Sequence, residues 1–180
     1  MSIIDTIDVR GGILVAHDGS TRSDSALRTA LRCAPVFGNR VHVARAWSIT
    51  TAATPTHEHL GYVPGLEEMQ AETSAALETA VAAARAAHPD VLVTTSVVHA
   101  RPAHAIVAAS RHTELVVIGS RGLGGFKGLL LGSVSSQVLQ HAHCGVLVDH
   151  GNAPHEQDDP HRTPSRECGT TRRLPGDLVP

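Results

Sequence analysis

Short apolar runs alternate with longer amphipathic stretches along the first 150 residues. Ile13-Leu-Val-Ala-His17 is a brief apolar run closed by Asp18-Gly-Ser20, the form of a buried strand ended by turn residues. From Ser23 to Phe37 apolar side chains return at Ala26/Leu27, Ala30/Leu31 and Ala34, a helical spacing. Ser20 or Ser23 can cap its start. Gly38 suits its end, and Pro35 makes its last turn irregular. Val41 to Trp47 reads as a second strand. Ser48 to Gly65 loses all periodicity and reads as a long loop, a candidate lid. Leu66 to Ala87 carries the strongest helical period, and His88-Pro89-Asp90 stops it. Val91 to Val98 is a β-branched third strand, and Pro102 opens a helix to about Arg111. Leu115-Val-Val-Ile118 is the fourth strand. A glycine-rich loop then leads to a helix capped by Ser133, with Val134, Val138 and Ala142 on its apolar side, and Val146-Leu-Val148 is the fifth strand. Strands alternating with helices predict a single α/β domain, a mostly parallel sheet with helices on both faces and right-handed crossovers. Ligands of such sheets bind beyond the carboxyl ends of the strands, which places Asp18 and Gly119 on one edge.

Both flanks differ from this pattern. Residues 1–10 read as a short polar lead-in to a domain over 11–150. Residues 151–180 hold five of the ten prolines and nine charged side chains without an aromatic, and read as a disordered tail. No apolar run approaches the roughly 18 residues of a membrane span, and acids near the start are unlike a signal peptide. A formal net charge of −2 and 2% aromatic residues disfavour a nucleic-acid binder. Three scattered cysteines (Cys33, Cys144, Cys168) make no disulfide framework, so a reducing, cytoplasmic setting is expected.

The candidate chemistry concentrates between Gly119 and Ser133, where the first fourteen residues hold six glycines. Glycines let successive amides converge on an anion, and the following helix start adds free N–H groups and the positive end of its dipole. Arg121 and Lys127, the only lysine of the chain, supply positive charge, and Ser133 supplies a hydroxyl. The set suits a polyphosphate. It is not a P-loop, because Lys127 is followed by glycine and stands six residues before Ser133. Nor is it the dinucleotide fingerprint, whose glycines follow the first strand.

Gly119-x-x-Gly122, nine further residues and Gly132-Ser133 resemble the nucleotide-binding signature of the universal stress protein family. The resemblance runs from about Ile13 to Val148. It takes in Ile-Leu-Val-Ala-His-Asp-Gly-Ser, Arg101-Pro-Ala-His-Ala-Ile106 and Gly-Ser-Val-Ser-Ser-Gln-Val-Leu. It implies a Rossmann-like five-stranded parallel sheet of order 3-2-1-4-5 and binding of ATP with Mg²⁺. By the same resemblance Asp18 meets the nucleoside, with Ala16 beside it and Ala46 facing the adenine. Gly119, Ser120, Gly122, Gly132 and Ser133 cradle phosphate, followed by the backbone of Val134 and Ser135. A homodimer paired through the fifth strand is also implied, with Gly145 standing where the family usually has proline.

Other candidates are weaker. His141 and His143 point about 200° apart on a helix, so with Cys144 they make a poor metal site unless the helix ends there. His57 and His59 fall in the long loop. His17 and Asp18 are neighbours on a strand and face opposite ways, which argues against an acid–base pair. Asp18 can otherwise cap the first helix or hold Mg²⁺ through water. No nucleophile–base–orienter set is evident, so no catalytic residue is assigned. The leading expectation is a regulatory ATP-binding protein of the stress response with unidentified protein partners, binding neither nucleic acid nor membrane. A slow ATPase or nucleotide-transfer enzyme using the same pocket, and an interaction module without nucleotide, remain alternatives.

Overall fold

The computed structural model describes residues 5–48, 65–124 and 130–151. Its elements follow the chain as β1 (Ile13–Ala16), α1 (Thr21–Cys33), β2 (Arg40–Trp47), α2 (Leu66–Ala87), β3 (Leu92–His99), α3 (Pro102–Ala109), β4 (Leu115–Gly119), α4 (Ser133–His141) and β5 (Gly145–Asp149). The strands form one parallel sheet in the order β3-β2-β1-β4-β5. Helices cover both faces, as the alternating pattern predicts.

β1 is buried along its whole length because it lies mid-sheet between two helical layers. Alternation divides its side chains between two cores. Ile13 and Val15 pack with Val43, Trp47, Val117 and the apolar stripes of α1 and α2, while Leu14 and Ala16 pack with Ala44, Val98, Ile118, Ile106 and Val138 towards α3 and α4. Ile7 and Val9, 8% and 7% exposed, join the second core. The polar reading of residues 1–10 therefore needs correction. The two side chains are spaced by two, and that short alternation was lost among the flanking polar residues.

The helix boundaries have local causes. Ser20 caps α1, its Oγ accepting the Ser23 N–H at 3.2 Å. Pro35 converts the end of that run into a 3₁₀ turn over Ala34–Phe37. The third helix likewise tightens into a 3₁₀ turn at Ser110–His112. α2 carries Glu67 and Glu68 in its first turn and Arg85 in its last, which suits the helix dipole. Its position over β2 and β3 is fixed by Gln70, which accepts from Trp47 Nε1 at 2.7 Å and donates to the Val97 carbonyl at 2.9 Å.

The expected lid, with His57 and His59, lies largely outside the described residues, as do Lys127 and the chain beyond residue 151. Among the described residues no helix is long and apolar enough to cross a membrane.

Candidate functional site

The β1–α1 turn and the start of the glycine loop meet at the carboxyl edge. Asp18 bridges them. Its Oδ1 accepts the Ser20 amide at 3.0 Å within its own turn, and its Oδ2 accepts the Leu123 amide at 2.9 Å, 105 residues on. Burial works to raise the Asp18 carboxyl, but bonds from Ser20, Leu123 and Ser23 outweigh it and hold the group below its ordinary range. The carboxylate is thus anionic and fixed against the loop. It lies so close to Gly122 that a Cβ there would collide with Oδ2. Gly119 is less tightly constrained, its Cβ standing 3.1 Å from the Arg22 backbone and Cβ.

The loop re-enters the fold through backbone bonds. The Ser120 amide donates to the Asp149 carbonyl at 2.7 Å, and the Ser120 carbonyl accepts the Gly132 amide at 2.8 Å. Gly132, not Ser133, is the N-cap of α4. Its extended backbone fills the cap position, so the expectation of a serine cap is corrected: Ser133 is the first helical residue and is exposed. The α-helical ladder starts at Ser136, whose amide donates to Gly132. The amides of Ser133, Val134 and Ser135 precede it and have no carbonyl four residues back within the helix. The Ser135 hydroxyl is buried and donates to the Gly119 carbonyl at 2.7 Å, so this side chain binds helix to strand.

The remaining candidates fall around this edge. Arg121 is half-buried beside Gly132. Ala16 and Ala46 belong to the α3/α4 side of the sheet, at the ends of β1 and β2. Ser120 is buried at 2% exposure and acts through its backbone.

A second polar cluster was missed in the sequence. His17, 3% exposed, faces α1, where its Nε2 lies 2.9 Å from Asp24 Oδ1. Its Nδ1 lies 3.1 Å from Arg45 Nη2. Arginine can only donate, so Nδ1 is the acceptor and the proton sits on Nε2, bonded to Asp24. Burial, reinforced by Arg45 and opposed by Asp24, keeps His17 below its ordinary value and neutral. With both nitrogens engaged, the ring has none left for proton transfer. Asp24 and Arg45 are seven and twenty-eight residues from His17, and nothing local in the sequence marks either. A groove of about 640 Å³ runs from this cluster between α1 and the alanines of α2, apart from the glycine loop.

The His141–Cys144 segment does not gather a metal site. α4 ends at His141, and Ala142 is already extended. The His143 amide is bonded to Ser110 Oγ, and burial raises the Cys144 thiol, disfavouring thiolate. Among the described residues no three His, Cys, Asp or Glu side chains stand close enough to hold an ion.

The model of the universal stress protein family matches residues 11–150. The chain belongs to the universal stress protein family. It is 37% identical over 138 residues to universal stress protein Rv2005c of Mycobacterium tuberculosis, covering 76% of this chain and 44% of the relative. The chain therefore spans less than half the length of that relative. Universal stress protein YxiE of Bacillus subtilis is 35% identical over 147 residues, covering 76% of this chain and 96% of its own. A universal stress protein solved in complex with cAMP superposes with a TM-score of 0.57 at 26% identity, covering 79% of this chain and 98% of that one.

Proposed function

We propose that this member of the family binds ATP with Mg²⁺ at the glycine loop and serves as a regulatory nucleotide-binding protein of the stress response in the cytoplasm. The observation that carries the reading is the meeting of Asp18 with the loop: an ionised carboxylate stands beside Gly122, in a loop that leads into the free amides of α4. That pairing offers an acceptor for a nucleoside hydroxyl or amine and donors for phosphate. Ala16 and Ala46 provide small apolar surface where a base would lie. Arg121 and Lys127 add positive charge, and the Ser133 hydroxyl adds a donor. Mg²⁺ would arrive with the polyphosphate and neutralise it, with Asp18 reaching it through water. The cAMP held by a relative supports an adenine nucleotide here. His17 has no free nitrogen and faces α1, which favours binding over turnover.

Mass spectrometry of denatured protein should detect co-purified adenine nucleotide, and calorimetry should show saturable binding of ATP. Absence of heat with ATP, ADP, AMP and cAMP alike would refute the reading.

We further propose a homodimer paired through β5. This strand lies at the sheet edge, and Val146, Leu147 and Val148 are only half-buried. An apolar edge with unpaired N–H and C=O groups is an invitation to pair, and a two-fold copy satisfies both edges. Asp149 turns its carbonyl to β4, so Val148 turns its N–H to the free edge, and Val148→Pro should remove that donor and give monomer by light scattering. A monomeric wild type would overturn the proposal.

A further inference from the structure

Arg22 is the second residue of α1, and its backbone packs on Gly119, the first glycine of the loop. The helix directs the Cα–Cβ bond of Arg22 towards its own N-terminus, hence towards the carboxyl edge of the sheet. The aliphatic stem then passes Gly151, with Cγ 3.7 Å from where a Cβ would stand. Arg22 Nε is closed off from solvent and has no hydrogen-bond partner. It is the one buried side-chain nitrogen or oxygen among the described residues left in that condition. A buried donor without a partner is costly, and an acceptor arriving beside it would satisfy it.

The order of strands says which acceptor. Ala46 stands one residue before the end of β2, Ala16 ends β1 with Asp18 two residues beyond it, Gly119 ends β4 and Gly151 follows β5. A nucleotide with its base over β2 and β1 and its sugar at Asp18 runs its phosphates over β4 towards β5. Arg22, rooted against Gly119 and lying along Gly151, is at the far end of that line. We propose that Arg22 binds the terminal phosphate of a nucleoside triphosphate in the glycine-loop site and sets its preference for triphosphate over monophosphate. This rests on the nucleotide reading above and adds a specificity-determining residue to it. The guanidinium fork matches a phosphate bidentately, which a lysine cannot reproduce.

The test titrates ATP, AMP and inorganic phosphate separately into wild type, Arg22→Gln and Arg22→Lys, with thermal unfolding of each protein with and without ATP. Wild type should bind ATP more tightly than AMP. Arg22→Gln should lose about ten- to a hundredfold for ATP, the value of a charge-assisted bond, and leave AMP unchanged. Arg22→Lys should recover part of the loss. Without ligand, Arg22→Gln should unfold at or above the wild-type midpoint, because a buried donor without a partner has gone, while its ATP-induced rise shrinks. Equal losses for ATP and AMP, no loss for either, or a lowered ligand-free midpoint with an intact ATP-induced rise would overturn the assignment. Tight binding of inorganic phosphate at Arg22 that ATP does not displace would make it a separate oxyanion site and also overturn it. A wild type that binds neither nucleotide would defeat the nucleotide reading itself, and this inference with it.

Discussion

Gly122→Ala is expected to abolish most nucleotide binding while leaving the fold in place. The new methyl group would occupy the space of Asp18 Oδ2, and the carboxylate is the group that must move. Moving it breaks the bond to the Leu123 amide and detaches the loop from the β1–α1 turn. Overpacking of this kind costs about 1–3 kcal/mol of stability. The loss of affinity should be at least about a hundredfold, because an acceptor and the loop that carries the cradle are displaced together. Adding Asp18→Ala removes the clash, so the double variant should regain stability without regaining binding. Thermal unfolding and calorimetry on the three variants separate these effects. ATP affinity unchanged in Gly122→Ala would show that Asp18 and the loop do not act as one site.

The largest loss of stability is expected for Trp47→Ala. The indole is 1% exposed, its ring lies 4.6 Å between centroids from His99, and its N–H is held by Gln70. Truncating a buried aromatic costs about 3–5 kcal/mol, a large share of the roughly 5–15 kcal/mol that holds an ordinary domain together. The Gln70 carbonyl would also lose its partner, and with it the register of α2 over β2 and β3. Denaturant unfolding should show this loss, whereas Leu92→Ala, at a side chain 58% exposed, should stay within about 0.5 kcal/mol of wild type. A mild effect at Trp47 would mean that α2 is held by other contacts.

Sequence periodicity was most informative where one face of an element determines its burial. The apolar stripe of α2 gave both of its ends, Leu66 and Ala87, because the pattern is long and a proline closes it. β1 and β4 could be read as strands because mid-sheet burial demands an uninterrupted apolar run. The glycine spacing located the loop, but not its internal bonds. That Asp18 would spend one oxygen on the Leu123 amide depends on a contact across 105 residues. The Trp47–Gln70–Val97 chain and the His17–Asp24–Arg45 cluster join separate elements in the same way. Serine's general preference for caps pointed to Ser133, whereas the loop's return through Ser120 set the boundary one residue earlier, at Gly132.

Asp149 closes β5, and its bonds reach well beyond that strand. Its carboxylate accepts the Thr29 hydroxyl from α1 and the Gly151 amide, and its carbonyl accepts the Ser120 amide at the start of the glycine loop. The edge proposed to pair with a second subunit is therefore wired directly to the segment proposed to hold phosphate. Linkage makes such wiring reciprocal: whatever factor a nucleotide applies to subunit pairing, pairing applies to the nucleotide. If both proposals hold, the protein would be sensitive to its own abundance. Its affinity for nucleotide would then differ between dilute and concentrated solution, and the amount of protein present would itself set how much nucleotide is held.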